Sequence, residues 1–269
     1  MQEKKICIIG GGNMGEALAG GIISSGLAQA ENIIIHDIRR ERLAYFRDTY
    51  HVGASDDITG AIETSDIVIL AVKPQNMEEV LKKMADSVAA RLVISIAAGI
   101  TLGLIEEHLG GKTRAIRVMP NTPALIGEGA AALAGGKYAT DSDIATARRI
   151  FDSVGITVVV KEELIDAVTG LSGSGPAYGF IIIDALAQAG VSQGLEAETA
   201  LKLAAQTMLG AAKLCLKGDK TPAQLTDMVT SPGGTTIEGI KALRAGKIGE
   251  TLASAVEAAT TKSKELGRK

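Results

Sequence analysis

The sequence opens with an apolar run that leads straight into a glycine-rich segment, and this pairing constrains the fold more than any other feature. Residues 5–9 are typical of a buried strand, and Gly10-Gly11-Gly12-Asn13-Met14-Gly15 follows at once. A helical pattern begins at Met14. A Gly-x-Gly-x-x-Gly turn between a strand and a helix is the phosphate-binding turn of dinucleotide-binding βαβ units. It predicts a Rossmann-type domain at the start of the chain.

Each glycine of this turn has a predicted role. Gly10 permits the tight turn, Gly12 lets the backbone approach a pyrophosphate, and Gly15 lets the helix pack closely on the strand. The free N–H groups at the helix start, around residues 13–14, are expected to bind the phosphates. Asp37 follows the second predicted strand, where a carboxylate can accept hydrogen bonds from a ribose.

Residues 37–40 leave the choice between NADH and NADPH open. Asp37 favours NADH, because a carboxylate repels the 2′-phosphate of NADPH. Arg39 and Arg40 follow at once and could clamp that phosphate, although two arginines are also ordinary at a solvated helix start. The segment therefore predicts a nicotinamide dinucleotide without deciding between the two.

Short β-rich runs alternate with helical stretches up to about residue 160. Beyond the opening strand, strands are predicted at 32–36, 67–72, 92–96, 115–119 and 157–160, with helices at 14–25, 39–50 and 141–154. Continuous apolar runs are typical of buried parallel strands. The predicted fold class is therefore α/β, with a parallel sheet covered by helices on both faces.

The character of the chain changes after this point, because no further β-rich run follows. A Rossmann domain is predicted over residues 1–161 and an all-α domain over residues 162–269. Its helices are predicted near 162–169, 175–190, 196–217, 221–230, 236–245 and 248–266. Residues 178–189 are apolar almost all round, so this helix must be buried on most sides. A small helical domain cannot cover it alone, which predicts a homodimer.

Composition and charge exclude several classes of partner. The net charge of −3 and the aromatic content of 3% give no reason to expect nucleic acid. No run approaches the roughly 20 apolar residues of a membrane span. The start of the chain does not resemble a signal peptide, and Cys7 and Cys215 lie far apart, as reduced thiols do. We expect a cytoplasmic protein, and no metal, since no ligand cluster has metal spacing.

Two polar turns end predicted strands, where ligands bind in open parallel sheets. Ala71-Val72-Lys73-Pro74-Gln75 follows the run 67–72, and Pro74 directs the chain outward, toward the nicotinamide side. Met119-Pro120-Asn121-Thr122-Pro123 is a stiff turn that could orient amides or hydroxyls. Each turn could equally be an ordinary surface loop.

The segment Ser231-Pro232-Gly233-Gly234-Thr235-Thr236 precedes a predicted helix. Thr235 and Glu238 fit the spacing of a capping box. The two glycines expose backbone N–H groups at the helix start, which suits a carboxylate, and Thr236 could add a hydroxyl. Capping alone does not require a double glycine, so the segment predicts a site for a substrate anion.

The missing residue types narrow the chemistry. None of the three histidines lies in these motifs, which makes base-assisted alcohol dehydrogenation less attractive. Leu171-Ser172-Gly173-Ser174-Gly175-Pro176 has the wrong spacing for a hydrolase nucleophile and is interpreted as a helix start with Pro176 in the first turn. Hydride addition to a carbon–nitrogen double bond fits better, because a protonated imine is already an electrophile.

These motifs, in this order and spacing, resemble those of the pyrroline-5-carboxylate reductases. The resemblance covers nearly the whole chain through residues 8–15, 71–75, 117–123, 171–178 and 229–236. It implies reduction of 1-pyrroline-5-carboxylate to L-proline by NADPH or NADH, with NADPH slightly favoured, as the last step of proline biosynthesis. It also implies a Rossmann domain and an all-α domain through which subunits interleave as dimers, with the dimers often assembling into decamers.

The resemblance also implies roles for individual residues. The substrate carboxylate would lie on the loop formed by Ser231, Gly233, Gly234, Thr235 and Thr236, which would face the cofactor of the partner chain. Thr236 would be the catalytic residue, with its hydroxyl near the ring nitrogen. The residues predicted to bind the cofactor are Gly10, Gly12, Asn13, Met14, Gly15, Asp37, Arg39, Ala71, Val72, Lys73, Pro74 and Asn121.

Two alternatives remain open on the sequence alone. A β-hydroxyacid-type dehydrogenase shares a Rossmann domain followed by a helical domain, but it relies on a catalytic lysine in the helical part. No lysine lies within the Gly/Ser clusters here. A nicotinamide-sensing module without catalysis would need an extension that binds DNA or protein, and no basic helix–turn–helix region provides one.

Overall fold

The computed structural model describes residues 3–110 and 112–267. Its strands are β1 (Ile6–Ile9), β2 (Ile33–His36), β3 (Gly53–Ser55), β4 (Ile67–Leu70), β5 (Leu92–Ser95), β6 (Arg114–Met119), β7 (Gly129–Gly135) and β8 (Gly155–Val159). Its helices are α1 (Asn13–Ser24), α2 (Arg40–Tyr50), α3 (Ile58–Glu63), α4 (Met77–Met84), α5 (Leu102–Leu109), α6 (Asp141–Asp152), α7 (Ile165–Val168), α8 (Gly175–Ser192), α9 (Ala197–Lys217), α10 (Pro222–Met228), α11 (Thr235–Ala245) and α12 (Ile248–Leu266).

The eight strands form one sheet in the order β3-β2-β1-β4-β5-β6-β7-β8. All pairings among strands β1 to β6 are parallel, and β7 pairs antiparallel with β6 and parallel with β8. The order reverses between β1 and β4, and in open α/β sheets ligands bind beyond the strand ends at such a switch point. The predicted α/β class with a parallel sheet is confirmed, and the β6–β7 pairing is its one antiparallel exception among the described strands.

Both faces of the central strands are buried, because side chains alternate along each strand and helices cover both sides. Ile6 and Ile8 of β1 face one core, where Phe46 of α2 and Phe151 of α6 are fully buried. The alternate residues of β1 face a second core, which α3, α4 and α5 cover. This double burial explains why the strands are continuous apolar runs.

Two strands and three helices were not delimited from the sequence. β3 has only three residues, and β7 consists of Gly, Ala and a single Leu, so neither has the β-branched residues that indicate a strand. The helices α3, α4 and α5 are six to eight residues long, below the length at which periodicity distinguishes a helix from a loop.

The contacts divide the chain into two compact units, residues 3–174 with 257–267 and residues 175–256. The proposed domain boundary at 161/162 therefore stays a prediction, and its outer ends at Met1, Gln2, Arg268 and Lys269 lie outside the described residues. Within the first unit, the hydroxyl of Ser263 at the end of α12 donates to Asp166 at 2.7 Å. None of the described helices is long and apolar enough to cross a membrane. Both cysteines are free thiols.

The unit of residues 175–256 leaves most of its apolar residues uncovered. Its buried apolar residues are three alanines, Ala187, Ala200 and Ala204. In contrast, Phe180 and Ile181 of α8 are 66% and 69% exposed. Apolar surface of this extent on a helical unit marks an interaction site, as predicted for a helix that is apolar almost all round.

Placing charge on this face of α8 will prevent dimerisation. We expect the double variant Phe180→Asp, Ile181→Asp to lose the dimer, because a carboxylate without a partner is costly to bury in an apolar interface. Size-exclusion chromatography with light scattering measures the mass. Lys202→Ala is the control, since it removes only an exposed ion pair with Glu198, and it should keep the wild-type mass. A dimer that persists in the charged variant would contradict the assignment of this face.

Candidate active site

The glycine-rich turn closes the carboxyl end of β1, and its glycines are held by close backbone contacts. Gly10 has φ +111°, which favours glycine, and a Cβ there would lie 2.6 Å from the carbonyl oxygen of Ala71. A Cβ on Gly15 would overlap the carbonyl oxygen of Gly10. The turn and the segment after β4 are thus brought together at the switch point of the sheet, and neither glycine has room for a side chain.

Gly12 is different, because nothing lies within 4 Å of the place where its Cβ would be. It is the N-cap of α1, and no side chain caps this helix start. The first turn of a helix carries backbone N–H groups without an intrahelical acceptor. Open space in front of uncapped N–H groups, at the positive end of the helix dipole, is suited to a phosphate.

Two side chains, buried Asp37 and half-buried Arg42, hold the backbone of Gly11. Its N–H donates to Oδ2 of Asp37 at 2.8 Å, and its carbonyl accepts from Nε of Arg42 at 2.6 Å. Arg42 also pairs with Glu16 at 2.6 Å. Burial raises the pKa of Glu16, but hydrogen bonds from Tyr45 and Arg42 outweigh it and hold the pKa below the usual value. The carboxylate is therefore ionised, and the turn is fixed before any ligand binds.

Asp37 lies at the end of β2, as the sequence predicts, but its carboxylate is already occupied. Besides the hydrogen bond from Gly11, its oxygens accept hydrogen bonds from the backbone N–H of Arg39 at 2.9 Å and from Nε and Nη2 of the Arg39 guanidinium at 3.0 Å. Arg40 is exposed, and its guanidinium lies 4.0 Å from Asp56. Of the three charged residues that left the cofactor type open, Asp37 and Arg39 are thus paired with each other, and Arg40 lies apart from them beside Asp56.

The segment after β4 lies at the same edge of the sheet. Ala71 and Val72 are half-buried, and the N–H of Ala71 donates to the carbonyl of Ile9 at 2.8 Å. Lys73 is exposed, and Pro74 begins a short 3-10 helix. The turn after β5, residues 96–99, also lies at this edge of the sheet, but the sequence interpretation did not assign it to the site. The signal that could have indicated it is the run of small residues, Ala97, Ala98 and Gly99, near the end of a buried strand.

Asn121, predicted to bind the cofactor, has both ends of its amide engaged within the protein. Its Oδ1 accepts from the N–H of Ala130 at 2.8 Å, and its Nδ2 donates to the carbonyl of Ser172 at 3.1 Å. Ser172 belongs to a π-helical turn, Thr169–Gly173, where a Cβ on Gly173 would lie 2.6 Å from Cε of Met119. The sequence interpretation missed this turn, which joins the segments 119–123 and 169–173.

In the second unit, the loop 231–236 leads into α11 with a geometry that differs from the prediction. The capping box between Thr235 and Glu238 is wrong: Gly234 is the N-cap, Thr235 is the first helical residue, and Glu238 pairs with Lys241 at 2.7 Å. The reason is that Gly233, at φ +71°, turns the chain one residue earlier.

This helix start is also open to a ligand. No side chain caps α11, and Ser231, Thr235 and Thr236 are exposed. The first N–H groups of α11 therefore have no side-chain acceptor, next to the hydroxyl groups of two threonines. The arrangement suits a carboxylate.

Other groups in the described residues offer no competing chemistry. No cluster of three His, Cys, Asp or Glu side chains could hold a metal ion among the described residues. Burial raises the pKa of the Cys7 thiol to about 12, so it is not a nucleophile at neutral pH. A cleft of about 340 Å³ lies beside α1, near Gly20, Tyr50 and Leu125, and none of the predicted site residues lines it.

Two family models match the chain. Residues 162–266 match the family described as pyrroline-5-carboxylate reductase dimerisation. Residues 5–99 match a family described as NADP oxidoreductase, coenzyme F420-dependent.

Curated relatives match over the full length. The pyrroline-5-carboxylate reductase of Methanosarcina acetivorans is 46% identical over 100% of both chains. That of Synechocystis is 44% identical over 97% of this chain and 98% of the relative.

Solved structures agree with these matches. The pyrroline-5-carboxylate reductase of Coxiella burnetii has a TM-score of 0.94 at 38% identity, covering 98% of each chain. The pyrroline carboxylate reductase of Plasmodium falciparum, with NADP bound, has a TM-score of 0.88 at 34% identity, covering 99% of each chain.

Because their surroundings differ, an added methyl group should affect mainly dinucleotide binding at Gly12 and mainly stability at Gly15. We expect Gly12→Ala to cost at most about 1 kcal/mol of stability but to weaken dinucleotide binding by about tenfold or more, because the Cβ occupies the space a phosphate needs. Gly15→Ala should cost about 1–3 kcal/mol of stability through overlap with Gly10. Urea unfolding and calorimetric titration with NADP⁺ measure the two effects.

Gly103→Ala in α5 is the matched control. Its Cβ would meet only Oγ1 of Thr101, at 3.9 Å, so stability and binding should both be maintained. Unchanged NADP⁺ affinity in Gly12→Ala would show that phosphate does not approach this backbone.

Proposed function

The chain belongs to the pyrroline-5-carboxylate reductase family, and from that premise we propose how its own residues perform the reaction. The reaction is the reduction of 1-pyrroline-5-carboxylate to L-proline with NADPH or NADH, the last step of proline biosynthesis. The predicted family, activity and NAD(P)H cofactor are confirmed. The dehydrogenase and sensor alternatives are therefore set aside.

The open helix start at Gly12 is the observation that supports cofactor binding here. The N–H groups of Asn13 and Met14 would bind the pyrophosphate, with Gly10 and Gly15 fixing the turn. Ala71, Val72, Lys73 and Pro74, at the end of β4, would line the nicotinamide side. When bound, the nicotinamide supplies a hydride for the carbon of the carbon–nitrogen double bond.

Asn121 fits a supporting role better than a direct contact with the cofactor. Both ends of its amide are used to join Ala130 and Ser172. It would thus act as a positioning residue for the turn after β6.

The loop before α11 would bind the substrate. The N–H groups at the start of α11, near Gly233 and Thr235, have no side-chain cap and, with the hydroxyl of Ser231, suit its carboxylate. The N–H of Gly234 already donates to the carbonyl of Ser231 at 3.0 Å, so Gly234 would serve to shape the loop. As the ring carbon of the neutral imine accepts the hydride, the hydroxyl of Thr236 would pass a proton from water to the ring nitrogen. A substrate that arrives as the iminium already carries that proton. The protein contributes mainly orientation and electrostatic stabilisation, since a protonated imine already accepts hydride.

The chain forms homo-oligomers through its dimerisation domain. We further propose that the dimers assemble into a decamer, for which light scattering should give ten times the chain mass of 27.7 kDa. The net charge of −3 supports the absence of nucleic acid and anionic membranes as partners, and the free thiols support a cytoplasmic location.

The activity is tested by following the nicotinamide absorbance of the wild-type protein with 1-pyrroline-5-carboxylate, in parallel with NADPH and with NADH. We expect substrate-dependent oxidation of the nicotinamide and formation of L-proline, which chromatography identifies. Absence of oxidation with both cofactors would refute the function.

Removing the hydroxyl of Thr236 will slow turnover. We expect kcat to fall about 10²-fold in Thr236→Ala, the size of effect typical of a lost proton donor, with little change in NADPH affinity. Thr236→Ser, which keeps the hydroxyl, should recover most of the activity.

The control for this substitution is Thr226→Ala. The hydroxyl of Thr226 donates to the carbonyl of Pro222 within α10 at 2.9 Å, so its removal should leave kcat unchanged. A wild-type kcat in Thr236→Ala would exclude the catalytic role of this residue.

A further inference from the structure

The carboxylate of Asp37 has no acceptor capacity left for a ribose. An ionised carboxylate offers about four lone-pair sites, and Asp37 accepts four hydrogen bonds, one from Gly11 and three from Arg39. The side chain is only 7% exposed. A ribose hydroxyl could bind it only after the N–H of Gly11 or the guanidinium of Arg39 had left, and losing Gly11 would release the glycine-rich turn.

The negative charge of Asp37 is also compensated. Burial raises the pKa of this carboxyl, but hydrogen bonds from the side chain and backbone of Arg39, and from Gly11, hold it below its usual value. The side-chain pair is bidentate, with both carboxylate oxygens facing the guanidinium fork. A phosphate near this point would therefore meet a neutral pair and not a bare carboxylate, which removes the usual reason for NADH preference.

The side chains that remain exposed after the end of β2 are two cations and one apolar residue. The side chain of Arg39 is 50% exposed, and that of Arg40 is 90% exposed, with Asp56 at 4.0 Å as its partner. Ile38, between Asp37 and Arg39, is 85% exposed. These residues follow β2, the strand next to β1. The exposed isoleucine can pack against a flat apolar ring, while the two cations bind an anion attached near that ring.

We propose that Arg39, aided by Arg40, selects NADPH over NADH by binding the 2′-phosphate of its adenosine half, while Ile38 contacts the adenine. Asp37 serves as a positioning residue that orients Arg39 and holds Gly11, in place of the ribose contact predicted from the sequence. The inference rests on the proposed function only in taking the ligand to be NAD(P)H. It adds the determinant of cofactor choice to that function.

The test measures binding and needs no turnover. Calorimetric titration of the wild type with NADP⁺ and NAD⁺ should give at least about tenfold tighter binding of NADP⁺, since each tenfold corresponds to about 1.4 kcal/mol. Adenosine 2′,5′-bisphosphate should bind more tightly than AMP by a similar factor, which shows that the extra phosphate is the cause. NAD⁺ affinity equal to or higher than that of NADP⁺ would overturn the proposal.

Arg39→Ala should lower NADP⁺ affinity by about tenfold or more, the loss expected for a charge-assisted contact, and keep or improve NAD⁺ affinity, because the carboxylate of Asp37 becomes free. Arg39→Lys keeps the charge without the fork and should retain part of the preference. Arg40→Ala should have a smaller effect in the same direction. An unchanged NADP⁺ to NAD⁺ ratio in both Arg39 variants would overturn the proposal.

Ile38→Ser is the matched control on the same turn. It should weaken NADP⁺ and NAD⁺ by the same factor and leave their ratio unchanged, because adenine is common to both. A changed ratio in this variant would contradict the assigned roles. Thermal unfolding in the absence of ligand should give the wild-type midpoint for Arg39→Lys and Ile38→Ser, so that a loss of binding is not a loss of folding.

The two proposals fail in different ways. Selective NADP⁺ binding without reduction of 1-pyrroline-5-carboxylate would refute the function and support the role of Arg39. Reduction at equal rates with both cofactors, together with equal binding, would support the function and refute the role of Arg39.

Discussion

The two hydrogen bonds to the backbone of Gly11 are the constraint on which the proposed cofactor site depends. Its N–H is held by Asp37 from the end of β2, and its carbonyl is held by Arg42 from α2. A Cβ at Gly11 would lie 2.9 Å from Cε2 of the buried Phe46, so the core fixes the same point sterically. Because strand, helix and core all converge there, the turn is rigid without a ligand, and a preorganised anion site loses little entropy when it is filled.

The proposed site also requires the loops after β1 and β4 to lie close together, and the sheet provides this. Parallel strands end at one edge, and the reversal of strand order at β1 and β4 leaves a crevice between their loops. Gly10 and Ala71 come so close that only glycine is accommodated. Loops are also held close together after β6, where the amide group of Asn121 joins two segments that are far apart in sequence. Residues such as Asn121, which a motif search assigns to ligand binding, thus hold in place the loops that face the ligand.

The helical unit follows a different physical principle. Its helices bury little within one chain, and the apolar face of α8 needs a partner. The loop before α11 uses the same device as the glycine-rich turn, a glycine N-cap without a side-chain cap. In both places, the first backbone N–H groups of the helix, which side chains cap at the starts of α3, α5, α6 and α10, remain open for an anion. The apolar dimerisation face and the loop proposed to bind the substrate therefore belong to one unit.

The sequence by itself determined the elements that depend on local patterns. The alternation of apolar runs and helices, the glycine-rich turn after β1 and the apolar helix α8 could all be predicted, because period, glycine spacing and composition are properties of short segments. The strand β7 could not be predicted, since its alanines and glycines form a strand only because β6 and β8 provide hydrogen-bonding partners on both sides.

Only the tertiary structure decided what the polar residues do. Asp37 and Asn121 follow the strands that the sequence predicts, yet they form hydrogen bonds with groups that folding brings beside them, Gly11 and Ser172 among them. A carboxylate that binds ribose and one that holds an arginine look the same in a sequence. The difference lies in the partners each oxygen finds, and those are set by how the strands and helices pack.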